Sequence, residues 1–592
     1  MRAYLYLLLV LFISSCNEKT KNDFSDTLAI TIYFNGSIIT MEGNEAEYVE
    51  SIAEKNGKIV FVGSLKDAEA QYQNAVKVDL EGKTMIPGFI DSHSHFVQTA
   101  LKLNFVNLDP PPAGKTNSIE MLVNQLKEEL IENPEKYKAD DNWIIGWGFD
   151  NGFLEEGRFP NREDLDQVSE DFPIAIIHFS SHILVLNSKG LERAGYLNDD
   201  YTVPEGGVLQ YGENGEPNGV IEEQAMLSAM STIGKDYSGK PGKYISIPLP
   251  EALMKQKLIE SQELYASNGF TTITEMAATQ NDYEMIKELG DQGKLKLDVA
   301  MAFYSPLTSP SQVAKLYSTS YSNHYRVMGG KLNLDGGSPG RTAYLRAPYH
   351  TPTPGQPEDY RGYSSIKEQD DMNDLVSSYY EQRVPFFIHA LGDAAVDQCI
   401  AAIKYSEENY GYDDPRTQII HAQQVQPDQF EALKKHSATF TFQIAHNYYF
   451  GDYHNEFIYG PERTNRLNPA KEAVENGFSV TLHHDSPVHP VNQIDLIWIA
   501  TNRSSRSGKV YGEEQRLSPY EALKASTIEA AYQFKEEKVK GSISEGKVAD
   551  FVILDKNPLN VDISTIKDIV VLETIKEGVS VYKKKAEPDK VN

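Results

Sequence analysis

Cysteine is nearly absent: Cys16 and Cys399 are the two in 592 residues. No disulfide framework can be built from them, so the fold must be held by its core. Basic residues are also scarce, 56 Lys and Arg against 85 Asp and Glu, for a formal net charge of −29. That balance lacks the clustered cations a nucleic-acid footprint requires, and nucleic acid is not an expected partner. The acid surplus favours solubility and says little about substrate. The apolar stretch at the N-terminus, Tyr4 to Ile13, is too short to span a bilayer as a permanent helix. What is present, 40% hydrophobic and 24% charged residues, is ordinary for a globular protein. The length allows about three or four domains, or one large barrel with insertions.

The first sixteen residues differ from the rest. Arg2 is the one early charge, the apolar stretch follows, and Ser14-Ser15-Cys16 closes it. The pattern resembles a bacterial lipoprotein signal with Ile13-Ser14-Ser15-Cys16 as lipobox, which implies cleavage before Cys16 and acylation there. Residues 17–28 then act as a polar linker, and the protein is expected in the cell envelope, lipid-anchored and facing the periplasm or exterior. An ordinary cleaved signal with a chance cysteine is the alternative. With Cys16 lipidated, Cys399 stands alone and is expected to pack as a small hydrophobe.

Two β-rich ends enclose a long middle. Ile30–Phe34, Tyr48–Ala53 and Lys58–Val62 alternate as strands, with Asn35-Gly36 and Asn56-Gly57 as turns. Gly541–Ile543, Ala549–Asp555, Ile569–Thr574 and Glu577–Tyr582 do the same near the C-terminus. A small composite β-sandwich from residues 29–84 and 541–584 is expected. Between them, residues 85–540 alternate strand-like and helical runs. Strands are predicted at Gly88–His95, Gly269–Met276, Leu297–Tyr304, Val327–Asp335, Pro385–His389, Thr417–His421, Ala438–Gln443 and Ser479–Asp485, with helices such as Glu251–Ser267 and Asp370–Gln382. Eight strands with helices between them fit an α/β architecture, the (β/α)8 TIM barrel. About 170 residues separate the first two strands, too many for a usual loop, so residues 100–250 read as an insertion subdomain.

His93 and His95 lie in Pro87-Gly88-Phe89-Ile90-Asp91-Ser92-His93-Ser94-His95. Side chains i and i+2 of a strand share a face, so the pair can grip one ion, with Asp91 beside it. Lys331, His389, His421 and Asp485 fall at or near the ends of later strands, at the rim where barrel enzymes build their sites. Imidazoles and a carboxylate suit zinc and similar divalent ions, which acidify bound water. Asp485 could ligate one ion, take the proton from that water and deliver it to a leaving nitrogen.

Together with His389-Ala390-Leu391-Gly392-Asp393, Ile420-His421-Ala422-Gln423 and His484-Asp485-Ser486-Pro487-Val488, that first segment resembles the amidohydrolase superfamily. More narrowly it is similar to the amidohydrolase family 3 branch that includes N-substituted formamide deformylase. Trp147-Gly148-Phe149-Asp150, Asn187-Ser188-Lys189-Gly190-Leu191, Gly219-Val220-Ile221-Glu222-Glu223 and Asp335-Gly336-Gly337 add to the resemblance. It implies a hydrolase of a non-peptide carbon–nitrogen bond in a small amide, formamide or cyclic amide. It further implies two zinc ions held by His93, His95, Lys331, His389, His421 and Asp485, with Lys331 carboxylated to a bridging carbamate and Glu223 its competitor. An esterase or deaminase of the same superfamily is the alternative, and a non-catalytic binding lipoprotein the alternative from another class. A homodimer is left open. His182, Asp150, Arg341 and His446 are candidate substrate contacts, though His182 could be structural and Arg341 could pin a loop. Two departures stand out: Ser180-Ser181 before His182, and His483-His484 before Asp485, where small residues are commoner.

Overall fold

The computed structural model describes residues 30–585 apart from 112, 138–141, 180–182, 199, 205–206, 224, 239–246, 248 and 354–355. The signal and linker, Cys16 and His182 lie outside the described residues.

Eight parallel strands follow one another around the sheet in chain order. They are β1 (Phe89–Ile90), β2 (Phe270–Ala278), β3 (Asp298–Tyr304), β4 (Tyr325–Asn333), β5 (Phe386–Ala390), β6 (Thr417–His421), β7 (Ala438–Phe442) and β8 (Val480–Leu482). Strand β1 is the shortest: Asp91 N–H still bonds Thr272 O on β2 at 3.0 Å, but beyond it the segment crosses to the turn after β8, where His95 N–H bonds Ser486 O at 2.8 Å. The second of these bonds, with Ser92 Oγ donating to Leu482 O at 3.0 Å, joins β1 to β8 and closes the barrel. Ile90, Met276, Ala302, Met328, Phe387 and Ile420 pack as one cluster inside it, against Phe534.

The β-rich ends meet in a single eight-stranded sheet in which Phe551–Leu554 pairs with Thr84–Pro87. Asn56-Gly57 makes the expected tight turn, both residues at positive φ (53° and 75°). Asn35-Gly36 does not turn. Strand Thr31–Ile39 runs through it with a register shift between Phe34 and Ile38, a bulge. Asn35 takes φ 59° and donates to Asp79 at 2.7 Å, while a Cβ on Gly36 would sit 2.5 Å from Lys83 O. Gly541–Ile543 forms no strand; Ile543 N–H bonds Thr40 O at 2.8 Å.

Between β1 and β2 the insertion builds its own six-stranded mixed sheet, Ile144–Phe149 and Ile174–His178 parallel at its middle. Its core includes Leu122, Leu126, Ile144, Phe149, Ile176 and Val185. Trp147 and Phe149 are buried, and Phe149 belongs to this subdomain core. Cys399 is a buried free thiol in helix Asp393–Tyr410. Among the described residues, no helix is long and apolar enough to cross a membrane.

Candidate metal centre

At the C-terminal end of the barrel, His93 and His95 converge although their ladder has ended. The Nε2 atoms lie 3.2 and 3.4 Å from Asp485 Oδ1, and ligand atoms of the three residues fit within 4.8 Å of one another. Asp485 Oδ2 is held from the end of β7 by Gln443 Nε2 at 3.1 Å, so Oδ1 is the atom left to the histidines. Asp91 turns away: its carboxylate accepts from Thr274 N–H at 3.0 Å and Thr274 Oγ1 at 2.8 Å, and it also takes Ser94 Oγ. It fixes the segment carrying both histidines.

Lys331, His389 and His421 join from β4, β5 and β6. The His389 and His421 ring centroids are 4.3 Å apart, and His421 is 5.1 Å from His93. Two irregularities aim these side chains. Met301 pairs with Val327 but Ala302 with Gly329, a bulge that places the extra residue Met328 in the barrel core and resets the alternation before Lys331. Gly330 then faces outward, where a Cβ would be 2.3 Å from Tyr379, and Lys331 faces in. On β6, Ile420 belongs to the interior, so alternation would send His421 out; its left-handed backbone, φ 71°, turns it inward. Asp485 also takes a left-handed φ, 56°. Such conformations cost about 1–3 kcal/mol each and cluster at functional sites.

Burial pulls the His93, His389 and His421 imidazoles down, His389 to about 3, so each is neutral with a free lone pair. Burial pulls His95 down too, but Asp485 and Glu275 outweigh it and hold it at about 9. Burial brings the Lys331 amine down to about 7, against the pull of Asp485. For Asp485, burial is outweighed by the His93 and His95 nitrogens turned toward it, which hold the carboxyl well below its usual range.

These residues fit a metal. Among the described residues, both ring nitrogens of His93, Nδ1 of His95 and of His421, and Oδ1 of Asp485 are buried without a hydrogen-bond partner. Each orphaned group costs about 1–3 kcal/mol; imidazoles and a carboxylate sharing one cavity are the donor set of a divalent ion, which on binding would take the place of the proton on His95.

Three further residues escaped sequence reasoning as parts of the site. His483 is wholly buried, its ring 4.9 Å from those of both His93 and His421, and neither nitrogen has a partner among the described residues. The signal was its i+2 spacing from Asp485 in the segment expected as the eighth strand, which in the structure ends at Leu482. Glu275 lies 3.8 Å from His95 Nδ1 and accepts Val97 N–H at 2.7 Å; an acid inside the apolar run of β2 was its mark. Asp335 accepts backbone N–H groups from Leu391 (3.0 Å), Gly392 (2.9 Å) and Tyr344 (2.9 Å) and lies 3.5 Å from His389 Nε2. Burial holds it at about 7 even so.

Of the candidate substrate contacts, His446 is buried in helix Ala445–Tyr449 beyond β7, its Nδ1 2.8 Å from Gln423 Nε2. Arg341 is taken up by a loop, donating to Thr351 O at 2.7 Å and Pro352 O at 2.8 Å. Asp150 follows an insertion strand, and burial pushes its carboxyl up to about 6. Glu223 ends an insertion strand, opposite Gly207, away from the barrel ladder.

Residues 77–582 match the amidohydrolase family. The chain belongs to that family. Metal-dependent hydrolysis of carbon–nitrogen bonds is thereby its chemistry. It is 25% identical to the putative amidohydrolase YtcJ of Bacillus subtilis over 571 residues, 93% of this chain and 99% of that one. N-substituted formamide deformylase of Arthrobacter pascens is 22% identical over 562 residues, 93% of this chain and 98% of its own. An uncharacterized metal-dependent hydrolase from Pyrococcus horikoshii shares the fold with a TM-score of 0.69 at 24% identity, covering 90% of this amidohydrolase and all but 1% of itself (99%).

Proposed function

We propose that this amidohydrolase cleaves the carbon–nitrogen bond of a small non-peptide amide, formamide or cyclic amide, using two zinc ions. The observation that carries the reading is Asp485 Oδ1, set 3.2 and 3.4 Å from two histidine nitrogens and otherwise unpaired. His93, His95 and Asp485 would hold one ion, His389 and His421 the other, and Lys331, carboxylated on its amine, would bridge them. Bound divalent ions supply acidified water and polarise the scissile carbonyl. Asp485 takes the proton of the attacking water and gives it to the nitrogen as the carbon–nitrogen bond breaks, yielding carboxylic acid and amine. Gln443 holds Oδ2 and so points Oδ1 at that proton. Lys331 is suited to carboxylation because its buried amine is brought near neutrality, where the free base can add carbon dioxide.

A screen of N-formyl, N-acyl and cyclic amides with purified protein of known metal content tests the reading. Hydrolysis lost in Asp485→Asn with zinc retained supports it; full activity in metal-free protein overturns it. Lys331→Ala should lose metal and activity, with partial rescue by short carboxylic acids. Supporting the deformylase end of the range is the similarity to a relative named for N-substituted formamides.

At the N-terminus, we propose that Cys16 carries lipid and tethers the enzyme in the cell envelope, on the strength of Ile13-Ser14-Ser15-Cys16. Cys16→Ser should release it from membranes.

A further inference from the structure

At the seam between insertion and barrel lies a narrow cavity of about 30 Å3, lined by Lys102, Asp109, Asp150, Tyr449, His489 and Arg506 among others. It has room for a water or two, or for the head of one small polar group. The Arg506 guanidinium is caught among aromatic rings, 3.1 Å from the centroid of Phe153 and 4.6 Å from that of Tyr449. Among the described residues its Nε and Nη1 are buried and donate to nothing. Ring contacts steady the planar cation but use none of its N–H groups, so a fixed fork of donors stands without an acceptor.

His489 repeats the pattern on the same wall: it is 3% exposed, and its Nε2 has no partner among the described residues. Burial keeps it neutral, so that nitrogen can carry a proton to donate. The other cation, Lys102, is already committed to both oxygens of Asp109 at 2.8 and 2.9 Å. Asp150 accepts Gly152 N–H through Oδ1 at 2.9 Å and leaves Oδ2 uncommitted. The cavity adjoins the metal centre: Val488, in its wall, donates its backbone N–H to Asp485 O at 2.9 Å, and the His489 ring is 5.3 Å from that of His446.

We propose that this cavity is an oxyanion subsite that takes a carboxylate of the substrate, with Arg506 as the fork and His489 as the second donor. This rests on the hydrolase reading and deepens it: the substrate is an amide bearing a carboxylate at the end remote from the metals. Asp150, acidic and facing the same space, favours a ligand with an N–H beside its carboxylate over a bare inorganic anion.

The test is calorimetric titration of the full chain carrying Asp485→Asn with N-formylglycine and with N-formylglycinamide, which differ in the charged carboxylate alone. The acid should bind about tenfold to a hundredfold more tightly, the range of a charge-assisted hydrogen bond in a desolvated site. Adding Arg506→Gln should erase the preference and leave the affinity for the amide unchanged; Arg506→Lys should keep part of it. Equal binding of the two compounds, binding of neither, or a preference that survives Arg506→Gln overturns the proposal. The ligand comparison needs no Arg506 variant, so misfolding of that variant cannot hide the answer. Failure of the hydrolase reading shows differently: metal-loaded wild type turns over neither compound while the binding preference stands.

Discussion

Replacing Asp335 should loosen the metal centre from outside it. Its carboxylate, fully shielded from solvent, accepts three backbone N–H groups at 2.9–3.0 Å, two from Leu391 and Gly392 just after His389 and one from Tyr344. A hydrogen bond to a charged group contributes about 1.5–3 kcal/mol, and a buried N–H left without an acceptor costs about 1–3. Some water will enter around the three donors, so about 4 kcal/mol is the expected loss for Asp335→Ala. Asp335→Asn keeps one acceptor oxygen but turns an amide NH2 toward remaining donors, which places it near half that loss. Freed of its clamp, the turn after β5 no longer fixes His389, whose Nε2 lies 3.5 Å from Asp335. Loss of a group that orients a ligand typically weakens metal binding by about 10- to 100-fold. Urea melts give the stability term and competition against a chromophoric chelator gives zinc affinity. If Asp335→Ala melts within about 1 kcal/mol of wild type, the clamp is not what holds this turn. If stability falls but zinc affinity does not, the link from clamp to ligand is wrong.

Beneath the barrel, Asp298 Oδ2 meets Lys540 at 2.5 Å and Lys576 at 2.9 Å, tying β3 to the composite sheet. Burial pushes its carboxyl up, but the two lysines and His324 outweigh that and hold it well below the usual range. The pair therefore stabilises above the unfolded carboxylate pKa near 3.9 and loses that contribution as pH falls through the lower folded value. Asp298→Asn should cost about 3 kcal/mol at neutral pH, with the gap to wild type closing on acidification below pH about 4; a gap constant down to pH 2 refutes it. His483→Ala should weaken zinc retention while His484→Gln, whose parent imidazole Nδ1 accepts Ser486 N–H at 3.0 Å, should lower melting temperature alone. Equal zinc affinity in wild type and His483→Ala excludes that ring from the centre. Glu275→Gln should weaken zinc retention, since Glu275 lies 3.8 Å from His95 Nδ1 and orients that ring; unchanged zinc affinity shows that the ring is oriented without it.

The eight barrel strands were legible because parallel strands covered on both faces read as near-continuous apolar runs, as in Phe386–Ile388 and Ile419–Ile420. The leading histidine pair was legible for a reason that proved only half right. His93 and His95 share a direction, but the bonds that set it run from Asp91 to Thr274 and from His95 N–H to Ser486 O, not along a ladder. At the composite sheet, Asn56-Gly57 turned as expected while Asn35-Gly36 bulged. The same dipeptide chemistry, positive φ at low cost, serves both, and distant partners at Asp79 and Lys83 decide between them.

Lys331 and His421 mark where period-two reasoning had to fail. Counting alternate residues from Met328 or Ile420 sends each of them out of the barrel, and a bulge in one case and a left-handed residue in the other bring them back. Resemblance to a family found them because a motif preserves the outcome of such irregularities without displaying their cause. His483 shows the converse. It lies two residues before Asp485 in the segment expected as the eighth strand and so could be found by spacing, although β8 itself ends at Leu482; no motif pointed to it because small residues are commoner there. Strand periodicity and family resemblance thus fail on different residues of one site. The residues that obey neither, such as Arg506, come to light only when the structure shows a buried donor with nothing to bind.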